Sequence, residues 1–266
     1  MSKTKHTGPK ILFVDVETRP MLGYFFGIWD QNIGTNQIEE GEDTEIIAWG
    51  AKWAHDDKMY YSDLRDGKSY KKFMQPIWDL LNAADVVVWY NGDKFDFKHL
   101  NTAFVIGADL KLPNSYTKFD ALKCVRKHFA FPSYKLEYVA KRFKCKHQKS
   151  KHKKFPGMDL WIQCLKDNKE AWKEMEEYNK KDVLVLEEVY YKLIPYDSSI
   201  NFSVFNEDQK HVCSCGSTQL SKNGLKRLQN GVYQRYTCKK CGKESRGKEN
   251  LMSTEVRKEL KVGVKR

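Results

Sequence analysis

Residues 11–20 read ILFVDVETRP. Ile11, Leu12, Phe13 and Val14 form an apolar run of the kind that makes a buried strand, and strand side chains alternate between faces with a period of two. Asp15 and Glu17 therefore project from one face at the end of that strand. Like charges on one face repel unless a cation lies between them, so the pair points to a divalent metal. The competing reading is that the acids close the strand and enter a solvated turn through Thr18 and Pro20.

Working outward, GYFFGIWDQNI (residues 23–33) and TEIIAWGAKWA (residues 44–54) carry the aromatic and β-branched content of strands. KMYYSD (residues 58–63) reads as a third partner after a turn at residues 55–57. SYKKFMQPIWDLLNAAD (residues 69–85) spaces Phe73, Ile77, Leu80, Leu81 and Ala84 as a helix, whose start lies either early in the segment or near Pro76. VVVWYNG (residues 86–92) is a short, continuously apolar strand suited to the interior of a sheet. Helices dominate from about residue 95 to residue 193, with a short TKFDA strand between, which predicts a mixed α/β domain around one sheet.

Further acids answer the first pair. NGDKFDFKHL (residues 91–100) places Asp96 just beyond a strand, near the start of a helix carrying Phe97, Leu100 and Phe104; Asp93 reads as the cap of that helix. EEYNKKDVLVLEEVYYKL (residues 176–193) is strongly helical, and Tyr178 and Asp182, four apart, share one face of it. Asp120, on the TKFDA strand, caps the helix ahead of ALKCVRKHF or supports the site from behind.

D-x-E at the end of the first strand, N-G-x-x-F-D after a later strand and Y-x-x-x-D on a late helix, in that order, closely resemble the three motifs of the DnaQ-like 3′–5′ exonucleases, in the tyrosine variant of the third motif. The histidine variant has its histidine five residues ahead of the aspartate, where this chain has Glu177. The resemblance covers residues 10–195 and implies an RNase H-like mixed sheet flanked by helices. It further implies that Asp15, Glu17, Asp96 and Asp182 hold two Mg²⁺ or Mn²⁺ ions, hard cations suited to carboxylate oxygens, that Tyr178 orients the attacking water, and that the substrate is DNA or RNA with a 3′ end. DVETRP, the GIWDQNI segment and KEAWKEMEEYNKKDV also resemble phage and bacterial ribonuclease H-like proteins. Two rival uses of such a fold are an endonuclease or transposition-type enzyme and a catalytically inactive nucleic-acid-binding protein.

The net charge of +12 is unevenly placed. Residues 209–266 hold 15 Lys and Arg against 4 Asp and Glu, or +11, which leaves +1 for the rest. Such a field selects polyanions, nucleic acid first. KRFKCKHQKSKHKK (residues 141–154) is a second basic run, with eight Lys and Arg and no acid. It reads either as a solvated loop or as a guide for a phosphate backbone, through Lys141, Arg142, Lys144, Lys151, Lys153 and Lys154.

Seven cysteines, an odd count, with no secretory signal ahead of them, argue against a disulfide framework. Cys124, Cys145 and Cys164 stand singly, whereas Cys213 and Cys215, then Cys238 and Cys241, form C-x-C, 22 residues, C-x-x-C, with a glycine after each pair. Four thiolates so spaced converge on one structural Zn²⁺. The segment resembles zinc ribbons attached to transposase-type proteins, although ribbons usually open with C-x-x-C, so His211 stands as an alternative to Cys213. Lys222, Lys226, Arg227, Arg235 and Tyr236 between the knuckles suit phosphate contact and stacking; the other use of a ribbon is protein contact. The expected organisation is a catalytic domain at residues 10–195, a linker at 196–210, a zinc ribbon at 211–246 and a basic tail at 247–266. No apolar run approaches the roughly 20 residues that span a bilayer, and the cytoplasm is the expected location.

Overall fold

The computed structural model of the chain describes residues 8–54, 56–65, 67–148, 154–205 and 211–261. It divides into two units, residues 10–190 and residues 191–266 together with 1–9. In the first unit the elements run β1 (Ile11–Thr18), β2 (Ile46–Trp53), β3 (Met59–Asp63), α1 (Tyr70–Asn82), β4 (Val86–Trp89), α2 (Asp96–Thr102), β5 (Thr117–Asp120), α3 (Ala121–His128), α4 (Leu136–Arg142), α5 (Asp159–Leu165) and α6 (Lys169–Leu193).

The sheet order is β3-β2-β1-β4-β5, with β1 antiparallel to β2 and parallel to β4. This is the RNase H-like mixed sheet flanked by helices that the resemblance implies. β1 is central, and its two-residue alternation divides the layers. Leu12, Val14 and Val16 pack into a core shared with Phe73, Ile77 and Leu81 of α1. On the opposite face Phe13 meets the Tyr190 ring edge-on at 5.4 Å and Asp15 meets Asn179, both on α6. One face of β1 thus builds the core, and the other carries the acids toward α6.

α1 runs through Pro76 from a Ser69 cap, which settles its start at the earlier position. Asp93 does not cap α2: the position before that helix is Phe95, which makes no side-chain cap bond. Asp93 instead accepts the indole N–H of the buried Trp89 at 3.1 Å and pairs with Lys123, because a buried indole donor requires an acceptor. GYFFGIWDQNI is not a strand. It forms a loop with a single bridge, Gly23 to Ile38. Both edges of β1 are taken by β2 and β4, and the segment has strand-like composition but no two-residue alternation, and Gly27 interrupts it.

The second unit contains β6 (Leu220–Leu228), β7 (Gly231–Cys238), β8 (Glu244–Arg246) and α7 (Thr254–Lys258). The three strands form an antiparallel sheet in the order β6-β7-β8. Gly216 and Gly242, which follow the cysteine pairs, have φ near +78°, a backbone state that favours glycine. Their N–H groups close the knuckles on the Cys213 and Cys238 carbonyls at 2.8 and 2.9 Å. Among the described residues no helix is long and apolar enough to cross a membrane.

Candidate active site

Asp15, Glu17 and Asp182 bring one carboxylate oxygen each to within 4.8 Å of one another. β1 supplies the first two from its α6-facing side, and α6 supplies the third. Asp182 is buried. Asp96, also buried at the first position of α2, lies against the same strand end but outside that group of three: its Oδ1 accepts the N–H of Val16, between Asp15 and Glu17, at 3.1 Å. Burial pushes the Asp96 carboxyl up to about 7; the Asp120 charge adds to the rise, and backbone N–H groups, including that of Val16, oppose it.

The donor set fits hard divalent cations. Oxygens from two half-buried carboxylates and one buried carboxylate converge here, and a positive charge among them relieves their mutual repulsion. Tyr178 stands one helical turn before Asp182 and hydrogen-bonds to it. Burial first, then the charges of Asp182, Glu17 and Asp15, push its phenol far above the ordinary range. It is therefore a protonated donor at neutral pH and not a base.

Two further residues escape a reading by motif. Asn179 is fully buried, and its Nδ2 donates to Asp15 Oδ2 at 2.7 Å and to the Asp15 carbonyl at 3.2 Å. Gly50, directly across β2 from Asp15, makes this possible: a Cβ there would lie 2.3 Å from Asn179 Oδ1. A glycine inside the IIAWGAKW strand is the sequence signal for such a close approach. Trp161 on α5 donates its indole N–H to Glu17 Oε2 at 3.1 Å and meets the Tyr178 ring edge-on at 6.0 Å. No sequence motif marks it.

Asp120 performs both duties that the sequence leaves open. Its carboxylate caps α3 through the N–H groups of Leu122 and Lys123, at 3.0 and 3.3 Å. It also accepts those of Asn91 and Asp93, at 3.0 and 3.3 Å, and so ties down the turn that leads into Asp96. Beside the acids, Glu17, Thr18, Arg19, Pro20, Phe95, Met158 and Trp161 line a cleft of about 410 Å³.

Of the basic run, Lys141, Arg142 and Lys144 are exposed at the end of α4, and the exposed Lys154 pairs with Glu170 at 3.1 Å. Lys151 and Lys153 lie outside the described residues. In the second unit Lys222, Lys226 and Arg227 are exposed along β6, whereas Arg235 is half-buried with its Nε bonded to the Asn223 carbonyl at 2.6 Å.

Cys213, Cys215, Cys238 and Cys241 bring their sulfurs within 4.8 Å of one another. The Cys213 to Cys241 and Cys215 to Cys238 separations of 3.4 and 3.7 Å are too long for disulfides, and they approach the edge of about 3.8 Å set by Zn–S bonds of about 2.3 Å in a tetrahedron. His211 stands outside this group, with its ring nitrogens 3.3 Å from the Ser203 hydroxyl and 3.4 Å from that of Ser245. The donor set therefore fits zinc through four thiolates.

A family model described as RNase_H superfamily matches residues 12–194. No curated protein matches the chain. A solved structure similar to it is that of the family B DNA polymerase from the hyperthermophilic archaeon Pyrobaculum calidifontis, with 16% identity and a TM-score of 0.49. The match covers 70% of this chain and 25% of the polymerase, so this chain spans about a quarter of that protein's length.

Two outcomes follow from the geometry. Asn179→Ala leaves Asp15 without its anchor and is expected to weaken Mn²⁺ affinity or turnover by about 10–100-fold, the usual effect of removing a partner of a metal ligand; titration of activity against Mn²⁺ checks it. Denaturing the purified chain in the presence of a colorimetric zinc indicator is expected to release one zinc per chain, and Cys238→Ser to abolish that release.

Proposed function

The chain belongs to the RNase H superfamily, whose members are metal-dependent nucleases, and we propose that it is a 3′–5′ exonuclease that hydrolyses the terminal phosphodiester of DNA or RNA. The observation that carries the reading is the convergence of Asp15, Glu17 and Asp182, with Asp96 bonded to the strand between the first two and a protonated Tyr178 beside them.

These four acids would hold two Mg²⁺ or Mn²⁺ ions, which supply Lewis-acid polarisation of the phosphodiester, a low-pKa water and charge stabilisation at the leaving oxygen. The protein's own part is positioning. Asn179 holds Asp15 and Trp161 holds Glu17, so that both carboxylates keep their orientation against mutual repulsion. Tyr178, whose one O–H proton is given to Asp182, would orient the attacking water by accepting a hydrogen bond at the same oxygen; the hydroxyl stays protonated and does not take the water's proton. The cleft lined by Phe95, Met158 and Trp161 beside Glu17 has apolar walls suited to a terminal base.

The second unit supports a binding role. Its strand β6 presents Lys222, Lys226 and Arg227 to solvent. His211, Tyr236, Lys243, Arg246 and Lys248 are among the residues lining a cavity of about 960 Å³ within that unit, which combines rings with cations. Phosphate contact and base stacking both fit that chemistry.

The decisive experiment incubates the chain with single strands labelled at the 5′ end, with Mn²⁺ and with chelator. A ladder shortening one nucleotide at a time, abolished by chelator, is the expected result; internal cuts ahead of any ladder would assign endonuclease chemistry. Asp15→Asn is expected to lower the rate by about 100-fold or more, because it removes negative charge that would hold the divalent ions. Tyr178→Phe, which removes one hydrogen bond and no ligand, is expected to cost about tenfold. Replacing Lys222, Lys226 and Arg227 by alanine is expected to weaken binding of long single strands and to flatten log affinity against log salt by about 0.7 for each phosphate no longer neutralised.

A further inference from the structure

A helix cap alone does not call for a carboxylate. This chain caps α1 with the hydroxyl of Ser69 and α7 with that of Ser253, and serine, asparagine and aspartate cap about equally well. Asp120 is nonetheless an acid, only 7% exposed, and its negative charge disfavours the ionised form of Asp96. A like charge buried beside a cluster of acids is unfavourable, so the carboxylate at this position supplies something that a serine would not.

What it adds is reach. Oδ1 accepts the N–H groups of Leu122 and Lys123 from α3 at 3.0 and 3.3 Å, and that of Asn91, in the turn after β4, at 3.0 Å. Oδ2 accepts a fourth, from Asp93 of the same turn, at 3.3 Å. That turn is conformationally demanding. Asn91 has φ of +68°, a region that a residue with a side chain occupies only when its surroundings fix it, and a Cβ on Gly92 would lie 2.1 Å from the Trp89 ring. The Asn91 carbonyl accepts the Phe95 N–H at 3.2 Å and the Gly92 carbonyl that of Phe97 at 2.8 Å, so the path of the turn is passed on to Asp96 between them. The far end of the chain of contacts is equally defined. Asp96 Oδ1 meets the Val16 N–H at 3.1 Å, beyond Phe13, the last β1 residue that pairs with β4.

We propose that Asp120 is a positioning residue for the metal centre: by holding the N–H groups of Asn91 and Asp93 it fixes the turn that aims Asp96, and so sets the affinity of the acids for their divalent ions. The proposal rests on the reading of Asp15, Glu17, Asp96 and Asp182 as a metal site. It gives a residue 24 positions past Asp96, on a different strand, a share in the strength of that site.

The test reads Mn²⁺ binding to the full chain without nucleic acid, from the electron paramagnetic resonance signal of free Mn²⁺; the part of the binding that Asp15→Asn removes is that of the acids. Asp120→Ser keeps a hydroxyl that caps α3 but is too short to reach the turn, and is expected to weaken Mn²⁺ affinity by about 10–100-fold. Asp120→Asn keeps an oxygen for the Asn91, Leu122 and Lys123 N–H groups and loses only the bond from Asp93, so it is expected to lose less. Both variants remove the charge, and the excess loss in the serine variant is the positional part. In an Asp96→Asn background the two are expected to bind Mn²⁺ equally, because the positional effect has no carboxylate left to act through. Ser69→Ala, which removes the cap of α1, is expected to leave Mn²⁺ affinity unchanged and so separates positioning from general loosening. Circular dichroism at the assay temperature verifies that each variant is folded.

Mn²⁺ affinity in Asp120→Ser equal to that of Asp120→Asn overturns the proposal and leaves Asp120 a helix cap. So does an excess loss in the serine variant that persists undiminished in the Asp96→Asn background. If the unsubstituted chain binds no Mn²⁺, the metal-site reading and the proposal fail together. If it binds Mn²⁺ and shows the expected differences but shortens no labelled strand, the exonuclease reading fails and the role of Asp120 stands.

Discussion

Repulsion among carboxylates is the constraint on which the first unit depends. Three of them bring oxygens within 4.8 Å of one another, and at an effective dielectric of about 20 each such ionised pair costs at least about 3.5 kcal/mol. The fold offsets this by taking the acids from elements that are fixed for other reasons. β1 is the middle strand of five, buried through its opposite face against α1, and α6 is packed by Ala171, Met175 and Tyr178 against Ile47 and Leu160. Neither element can retreat from the other without opening the core. Around the acids, neutral donors are aimed at single oxygens: Asn179 at Asp15, Trp161 at Glu17 and the Val16 N–H at Asp96. They orient charge without cancelling it, which leaves that task to a cation.

The same constraint explains which parts of the site are legible in the amino-acid order. Asp15 and Glu17 follow from a two-residue period, and Tyr178 and Asp182 from helical spacing, because each pair lies on one continuous element. Asn179 and Trp161 act across 164 and 144 residues of separation, and no local period encodes that. Gly50 is the partial exception, a glycine in a strand interior whose absent side chain marks where Asn179 enters. Asp93 misleads for a related reason. Its position before α2 looks like a cap, but the buried indole of Trp89 claims it. Asp120 then supplies from another strand the carboxylate that accepts the N–H groups of the turn.

The loop at residues 23–33 shows where composition fails as evidence for a strand. Its aromatic content matches β propensity, which measures how well a side chain fits a pleated, half-buried surface and not a backbone preference. Both edges of β1, the strand it follows, are taken by β2 and β4, and the same side chains are left in solvent. In the second unit the cysteine spacing is legible because four ligands at short intervals leave few geometries. The knuckle glycines at positive φ and the sulfur separations agree with a metal as organiser of a sheet too small to build much core of its own.

Charge is divided along the chain in a way that bears on how substrate reaches the acids. The clustered carboxylates and the six acids of residues 20–45 repel a phosphate backbone, whereas residues 209–266 carry +11 and attract polyanions. Attraction by exposed cations is long-ranged and screened over about 10 Å at 0.1 M salt, and stacking acts only at van der Waals range and ignores salt. On the proposed function a polyanion would be captured by basic residues and admitted to the carboxylates only when cations had neutralised their charge. On that reading the acids without divalent ions would repel phosphate by their own field, while basic side chains elsewhere in the chain would still attract nucleic acid. Binding and hydrolysis would then depend on cations in opposite senses: monovalent salt would weaken capture, and divalent ions would permit entry.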